Sequence, residues 1–232
     1  SRIEFAAELS GETIYLGERG ALQVTTSVVI DGDIDDDGAG DVTISALSRA
    51  GADDASDRVM TIDDGLAEIG IDVTLEGLTL RDGVTLFDGG GLLVGEGEAA
   101  TLIGVAVLSN ETTGAGSDGG GIYADEDAAL TVIGGEVADN VVSGPRARGG
   151  GIATGAFASL LVQDSEIRGN ATLGSEGEGG GVYAAGAARI ERSEISGNAT
   201  VGQDAGGGGI ATFRNGPLTV VENFDLKINK GE

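Results

Sequence analysis

Gly119-Gly120-Gly121-Ile122 returns thirty residues on as Gly149-Gly150-Gly151-Ile152 and again as Gly179-Gly180-Gly181-Val182. Gly89-Gly90-Gly91-Leu92 precedes these copies and Gly207-Gly208-Gly209-Ile210 follows, so the spacing is 30, 30, 30 and then 28 residues. A second phrase keeps step, an aliphatic residue three before an asparagine. It occurs at Val107 and Asn110, Val137 and Asn140, Ile167 and Asn170, Ile195 and Asn198, with Leu226 and Asn229 as a last copy. Two markers locked to one period mean a repeat architecture.

Between the markers residues alternate, as in Leu130-Thr131-Val132 and Leu160-Leu161-Val162, and no apolar stripe at helical spacing survives among so many glycines. The pattern predicts short strands separated by turns, about three per repeat. Such a unit cannot bury a face alone, but it can if each repeat is one coil of a solenoid stacked on the last. The expected fold is therefore all-β, a right-handed parallel β-helix with about 30 residues per coil.

Stacking makes residues one period apart into neighbours on adjacent strands, roughly 4.8 Å away. Four columns then come out apolar: Leu92, Ile122, Ile152, Val182, Ile210; Ala100, Leu130, Leu160, Ala188, Leu218; Leu102, Val132, Val162, Ile190, Val220; and Val107, Val137, Ile167, Ile195, Leu226. Each fully buried aliphatic side chain contributes roughly 1.5–3 kcal/mol, so these columns are the expected core. The shorter coil is expected to lose its two residues in the turn at Ala185-Gly186-Ala187, which leaves the register intact. Stacked asparagines can hydrogen-bond their amides along a column. That use competes with the Asn-x-Thr glycosylation pattern at Asn110, Asn170 and Asn198. The glycine triplets suit tight bends at positive φ where coils press together. No helix or Lys-Ser/Thr follows to make them a phosphate cradle.

The whole chain, 1–232, reads as a single domain, with residues 1–88 as irregular first coils and 89–232 as regular ones. Strands are expected at Ile3 to Phe5, Thr13 to Leu16, Leu22 to Val24, Val28 to Ile30, Val42 to Ile44, Val59 to Ile62, Val73 to Leu75 and Leu78 to Leu80, with long loops at Asp31 to Asp41 and Ala46 to Arg58. Seven or eight coils make a rod of roughly 35–40 Å. The chain begins at Ser1 and reads as a piece of a larger protein, with flanking domains of the same polypeptide as its first partners.

Acidic residues outnumber basic ones 39 to 13, for a formal charge of −26, and lysine occurs only at Lys227 and Lys230. Nucleic acid and anionic membranes are therefore poor partners, and no apolar run is long enough to insert in a bilayer. Such acidity suits a saline or divalent-rich medium, where self-repulsion is screened. Cysteine and histidine are both absent, which removes thiol chemistry, sulfur metal sites and the commonest general base.

Gly-Gly-Gly-Ile-Tyr at 119–123 and Gly-Gly-Gly-Val-Tyr at 179–183, paired with Ile-x-Gly-Asn, resemble the repeats of chlamydial polymorphic membrane proteins. Here Gly replaces the Ala of that family's Gly-Gly-Ala-aliphatic mark, and Val or Ile replaces the Phe of its Phe-x-x-Asn. The run from Thr13-Ile14-Tyr15-Leu16 to Val28-Val29-Ile30-Asp31-Gly32, followed by Val73 to Leu80, is still more similar to large secreted bacterial proteins carrying the CSLREA motif. In those, a short capping helix precedes a strand like Ile3-Glu4-Phe5. The resemblance implies a secreted or surface-anchored, adhesin-like β-helix, and it carries over no catalytic residue.

Asp33-Ile34-Asp35-Asp36-Asp37-Gly38-Ala39-Gly40-Asp41 matches the start of a calcium loop, with carboxylates at positions 1, 3, 5 and 9 and a glycine at 6. Position 12 is Ile44, so a site would borrow Asp31, a carbonyl or water. The expected metal ligands are Asp31, Asp33, Asp35, Asp37 and Asp41, and the expected cofactor is structural calcium. The competing reading is a solvated acidic loop.

Stacking also lines up Asp118, Arg148 and Glu178, which should put the arginine between two carboxylates in an exposed pair of small energetic value. Glu136, Glu166, Glu194 and Asp225 form an outward acidic ridge, as a cation edge, a partner edge or a salt-adapted surface. Tyr123 and Tyr183 lie two coils apart with Ala153 between them, which suggests a shallow sugar contact or plain packing. The best catalytic arrangement available to a carbohydrate-active enzyme is Arg168 beside Glu166 and Glu194. An ice-binding array fails, because the outward column Thr101, Thr131, Leu161, Arg189, Thr219 is interrupted. The expected function is a secreted or cell-surface module that binds a glycan or protein ligand rather than catalysing.

Overall fold

A computed structural model describes residues 1–35, 37–38, 40–47, 57–66, 70–213 and 217–221. They form a parallel β-solenoid, with adjacent coils paired strand to strand in every sheet. Sheet A has eight strands, at Arg2–Glu4, Val28–Asp31, Asp72–Glu76, Ala99–Ile103, Ala129–Ile133, Ser159–Gln163, Ala187–Glu191 and Leu218–Val221. Sheet B has seven, at Thr13–Tyr15, Val42–Ser45, Leu78–Arg81, Ala106–Leu108, Glu136–Ala138, Glu166–Arg168 and Glu194–Ser196. Sheet C also has seven, at Leu22–Val24, Met60–Ile62, Leu92–Val94, Ile122–Ala124, Ile152–Thr154, Val182–Ala184 and Ile210–Thr212. The expected first coils thus share their sheets with the regular ones. Most of the loop from Ala46 to Arg58, together with Asp225, Leu226 and Asn229, lies outside the described residues.

The apolar columns pair as the period requires: Leu92 with Ile122, Leu130 with Leu160, Val132 with Val162, Val137 with Ile167. Up to sheet A strand Ala187–Glu191 their side chains line a continuous interior in which Leu102, Ile122, Ile152 and Ile190 have no solvent exposure, whereas the expected core residues Leu218 and Val220, on the last described strand of that sheet, are each 39 % exposed. Ile167 still pairs with Ile195 across the short coil, because the turn between strands of sheets C and A shrinks there from residues 155–158 to 185–186.

A fourth sheet goes beyond the expected three strands per coil. Its members are Val84–Thr85, Glu111–Thr112, Val141–Val142, Ala171–Thr172 and Ala199–Thr200, two residues each, too short for alternation to show in sequence. They follow the asparagine corner, where Val141 N–H donates to the Asn110 carbonyl and Ala171 N–H to that of Asn140, at 2.8 and 2.9 Å. The asparagines form the ladder expected of them. Asn110 Nδ2 donates to Asn140 Oδ1 at 3.0 Å, Asn140 to Asn170 at 2.9 Å, and Asn170 to Asn198 at 2.9 Å. The Oδ1 of Asn140, Asn170 and Asn198 also accepts the backbone N–H of the preceding asparagine, that of Asn110 accepts Gly83 N–H, and each Nδ2 reaches a carbonyl such as Val107 or Val137. At 0–2 % exposure, these side chains are internal groups rather than glycan acceptors.

Gly119 and Gly149 open their triplets at φ +68° and +67°, the left-handed bend glycine allows. The second triplet position is set by crowding. A Cβ on Gly120 would lie 2.5 Å from the carbonyl oxygens of both Gly150 and Val141.

Two substitutions test this account by urea denaturation. Gly120→Ala should lose roughly 3 kcal/mol, because both obstructing groups are backbone, whereas Gly206→Ala, with nothing within 4 Å, should stay near wild type. Asn140→Ala removes four hydrogen bonds and strands the buried N–H of Asn110, for an expected loss of roughly 3–4 kcal/mol.

Candidate functional site

The acidic loop leaves sheet A at Asp31 and returns to sheet B at Val42. It folds down on the next coil, so that Gly32 and Gly40 press on the backbone of Gly77 and the side chain or backbone of Leu78. Asp33, Asp35 and Asp37 each offer a carboxylate oxygen within 4.8 Å of the others, and Gly38 turns the chain at φ +85°. Asp33 accepts the backbone N–H groups of Asp37 and Gly38 at 3.1 and 2.9 Å, and Asp35 accepts that of Asp37 at 3.3 Å. A carboxylate has about four acceptor positions, so these bonds leave capacity for a cation. Partial loss of hydration within the cluster, together with the charges of Asp37 and Asp41, raises the carboxyl of the exposed Asp35 above its ordinary range.

The other two expected ligands sit at the base of the loop. Asp31 pairs with Arg2 and accepts Asp33 N–H, while Asp41 accepts Ile34 N–H at 2.8 Å and the Ser10 hydroxyl at 3.0 Å. They brace the loop rather than join the cluster. A second acidic group, Asp63, Asp64 and Glu98, has its buried member in use, since Glu98 accepts the N–H groups of Asp64 and Ile71.

A different constellation lies along the outward face of sheet C. Tyr123, Ala153 and Tyr183 pair in register there. Just before each glycine triplet of this region stands a charged residue, Asp88, Asp118, Arg148 and Glu178. The period alone puts Arg148 between two carboxylates. Instead it pairs with Asp118 on one side, Nη2 to Oδ2 at 3.0 Å, and on the other turns to Tyr183, whose hydroxyl accepts from Nη1 at 2.9 Å. The guanidinium lies 4.6 Å from the Tyr183 ring centroid, where the π face attracts it. Nor is the pair as exposed as expected, for Asp118 is only 7 % accessible, while the Arg148 side chain keeps 33 % and lies on a Tyr183 that is 1 % accessible.

Burial pushes the Asp118 carboxyl up to about 6, with the nearby charge of Asp88 adding to the effect and Arg148 opposing it. Asp88 is raised too, mainly by burial; its Oδ1 accepts Asp118 N–H at 2.6 Å and its carbonyl accepts Arg58 Nη2 at 3.0 Å. Tyr123 is shifted upward by burial and by the charge of Asp125, to which its hydroxyl donates at 3.4 Å. A depression of about 220 Å³ opens between Tyr123, Arg148, Tyr183 and Phe213, walled by Gly155 and Ala156 and by Ala185. Asp88 was legible in advance, since it stands one period before Asp118. Phe213 had no such signal.

On sheet B the ridge of Glu136, Glu166 and Glu194 is in register. Arg168 neutralises part of it, pairing with Glu136, with Glu166 at 3.8 Å and with Asp139 at 3.8 Å. The expected grouping of Arg168 with Glu166 and Glu194 is therefore only half realised; its ion pairs run toward the N-terminal coil.

Neither family models, nor curated proteins, nor solved structures yield a match to this chain.

Raising the Asp118 carboxyl makes stability depend on pH. The folded state holds this proton up to about pH 6 and the unfolded chain releases it near 3.8, so stability falls as pH rises from about 4 to 6 and levels off above. Asp118→Asn should remove that slope. Each tenfold difference in proton affinity between the two states is worth about 1.36 kcal/mol, and part of the change already lies below pH 4, so the variant should gain roughly 2 kcal/mol on wild type between pH 4 and pH 7. Denaturation curves at both values give the reading.

Proposed function

We propose that this chain is a rigid, adhesin-like module of a secreted or cell-surface protein that presents a surface for binding a glycan or protein, rather than an enzyme. The observation that carries the reading is the unbroken stacking: sheet A stacks eight strands over about seven coils, from Arg2–Glu4 to Leu218–Val221, without a change of register. Each coil contacts mainly its neighbours, and such a rod spaces and displays surface features at fixed distances. The formal charge of −26 supports an environment where salt or divalent cations screen self-repulsion. Resemblance to surface β-helix repeats of bacteria points the same way.

Calcium is part of the proposal. Asp33, Asp35 and Asp37 would hold it, relieving repulsion among the clustered carboxylates and tying the loop to the coil it covers. A thermal melt in chelator, in millimolar calcium and in sodium chloride of equal ionic strength tests this. Calcium should raise the midpoint by several degrees beyond sodium, and Asp33→Ala with Asp35→Ala should lose the gain; equal stabilisation by sodium would instead assign the acidity to a saline medium.

The second reading, a carbohydrate-active enzyme, draws on Asp118 and Arg148, because displaced carboxyls beside a cation in a depression are typical of catalytic sites. Incubation with neutral and acidic polysaccharides decides between the two. The module reading expects no new reducing or unsaturated ends. Products that disappear with Arg168→Ala or Asp118→Asn would overturn it.

A further inference from the structure

We propose that the depression bordered by Tyr123, Arg148, Tyr183 and Phe213 is a subsite for one neutral pyranose unit of a glycan. The proposal deepens the surface-module reading and rests on it.

Aromatic residues are scarce, three tyrosines and five phenylalanines in the chain, yet three of these eight border this one depression. Tyr123 is partly exposed and Phe213 is 46 % exposed, which places aromatic surface on the border of the depression, the kind of surface against which the C–H side of a sugar ring packs. The opening itself follows from the short coil. Its turn at 185–186 lacks the two residues that the preceding coil has at 155–158, and Ala185 lies on one wall where Gly155 and Ala156 form another.

Polar recognition is already organised. Arg148 is fixed from two sides: Nε and Nη2 point to Asp118, at 3.4 and 3.0 Å, and Nη1 donates to the Tyr183 hydroxyl. A guanidinium has five N–H groups, so two remain for a sugar hydroxyl, with little ordering left to accomplish on binding.

Charge decides the ligand class. Asp118 offsets Arg148 at contact, and Asp88 and Asp125 add negative charge around Tyr123. A uronic or sialic acid would bring its carboxylate beside Asp118, and an amino sugar would set against the Arg148 N–H donors an ammonium group that has no lone pair to accept them. Neutral hydroxyls, which both donate and accept, meet neither penalty. The volume, about 220 Å³, is below the roughly 300 Å³ at which small-molecule sites usually begin, which suits one ring. A second depression of about 280 Å³, bordered by Asp63, Leu93, Glu96 and Asp125, has on its rim Asp125, which accepts from the Tyr123 hydroxyl on the rim of the first. A glycan chain can therefore continue along the solenoid axis.

The test uses the intact chain on an immobilised set of neutral hexose oligosaccharides, uronate polymers, sialylated glycans and chitosan oligomers, followed by calorimetric titration with the neutral ligand bound best. Retention on neutral oligosaccharides is expected. Tyr123→Ala should weaken it at least tenfold with a cooperative melting transition retained, Tyr123→Phe should keep most of it, Arg148→Lys should weaken it, and Arg81→Ala on sheet B, which only breaks the pair with Asp82, should leave it unchanged. Preference for charged glycans, equal retention by Tyr123→Ala, or no retention on any of the set overturns the subsite. If the chain then still binds periodate-treated cells, the surface-module reading survives alone; if neutral glycans are retained but cut, that reading fails and the subsite stands.

Discussion

Parallel strands on successive coils lie about 4.8 Å apart, and that spacing is the constraint on which everything else in this molecule depends. A side chain in such a stack has a near-copy of itself above and below. Few residue types gain from that arrangement. Aliphatic side chains do, because the copies pack, and asparagine does, because each amide both donates and accepts along the column. Glycine is required where two coils come closer than any Cβ permits, as at Gly120 against Gly150. The repeated phrase is thus a record of what can be stacked.

Charge is the type that stacks worst, and a chain with 39 acidic residues has to place its 13 basic ones with care. Arginines are found bridging carboxylates on different coils. Arg2 reaches Asp31 and Glu76, Arg192 takes Asp164 with two nitrogens at 2.7 and 2.9 Å, and Arg168 stands among Glu136, Glu166 and Asp139. Exposed pairs add little stability singly. Their value lies in relieving repulsion that in-register stacking would otherwise impose.

Where the repeat is broken, the surface acquires character. The loop of 31–41 adds residues and makes a carboxylate cluster over the Gly77-Leu78 backbone. The turn at 185–186 loses two and leaves a depression with an arginine and three aromatic rings around it. Both changes lie between strands, so neither disturbs the core columns.

The sequence by itself determined the solenoid, its period, its four apolar columns, the asparagine ladder and the position of the shortened turn. All of these follow from translation along one axis, so counting by 30 reproduces the neighbours. Only the tertiary structure decided what happens across the axis and within loops. The two-residue strands such as Val141–Val142 carry too few residues for a pattern, and the choice of Arg148 between Glu178 and Tyr183 depends on side-chain direction. The division of five aspartates, three clustered and Asp31 and Asp41 bracing, depends on how the loop lies on its neighbours. Burial of Asp118, and with it the displacement of its carboxyl, arises from Asp88, Arg148 and Tyr183 closing around it in space. A linear period records which residues share a column, but the direction in which a side chain leaves that column is set by packing.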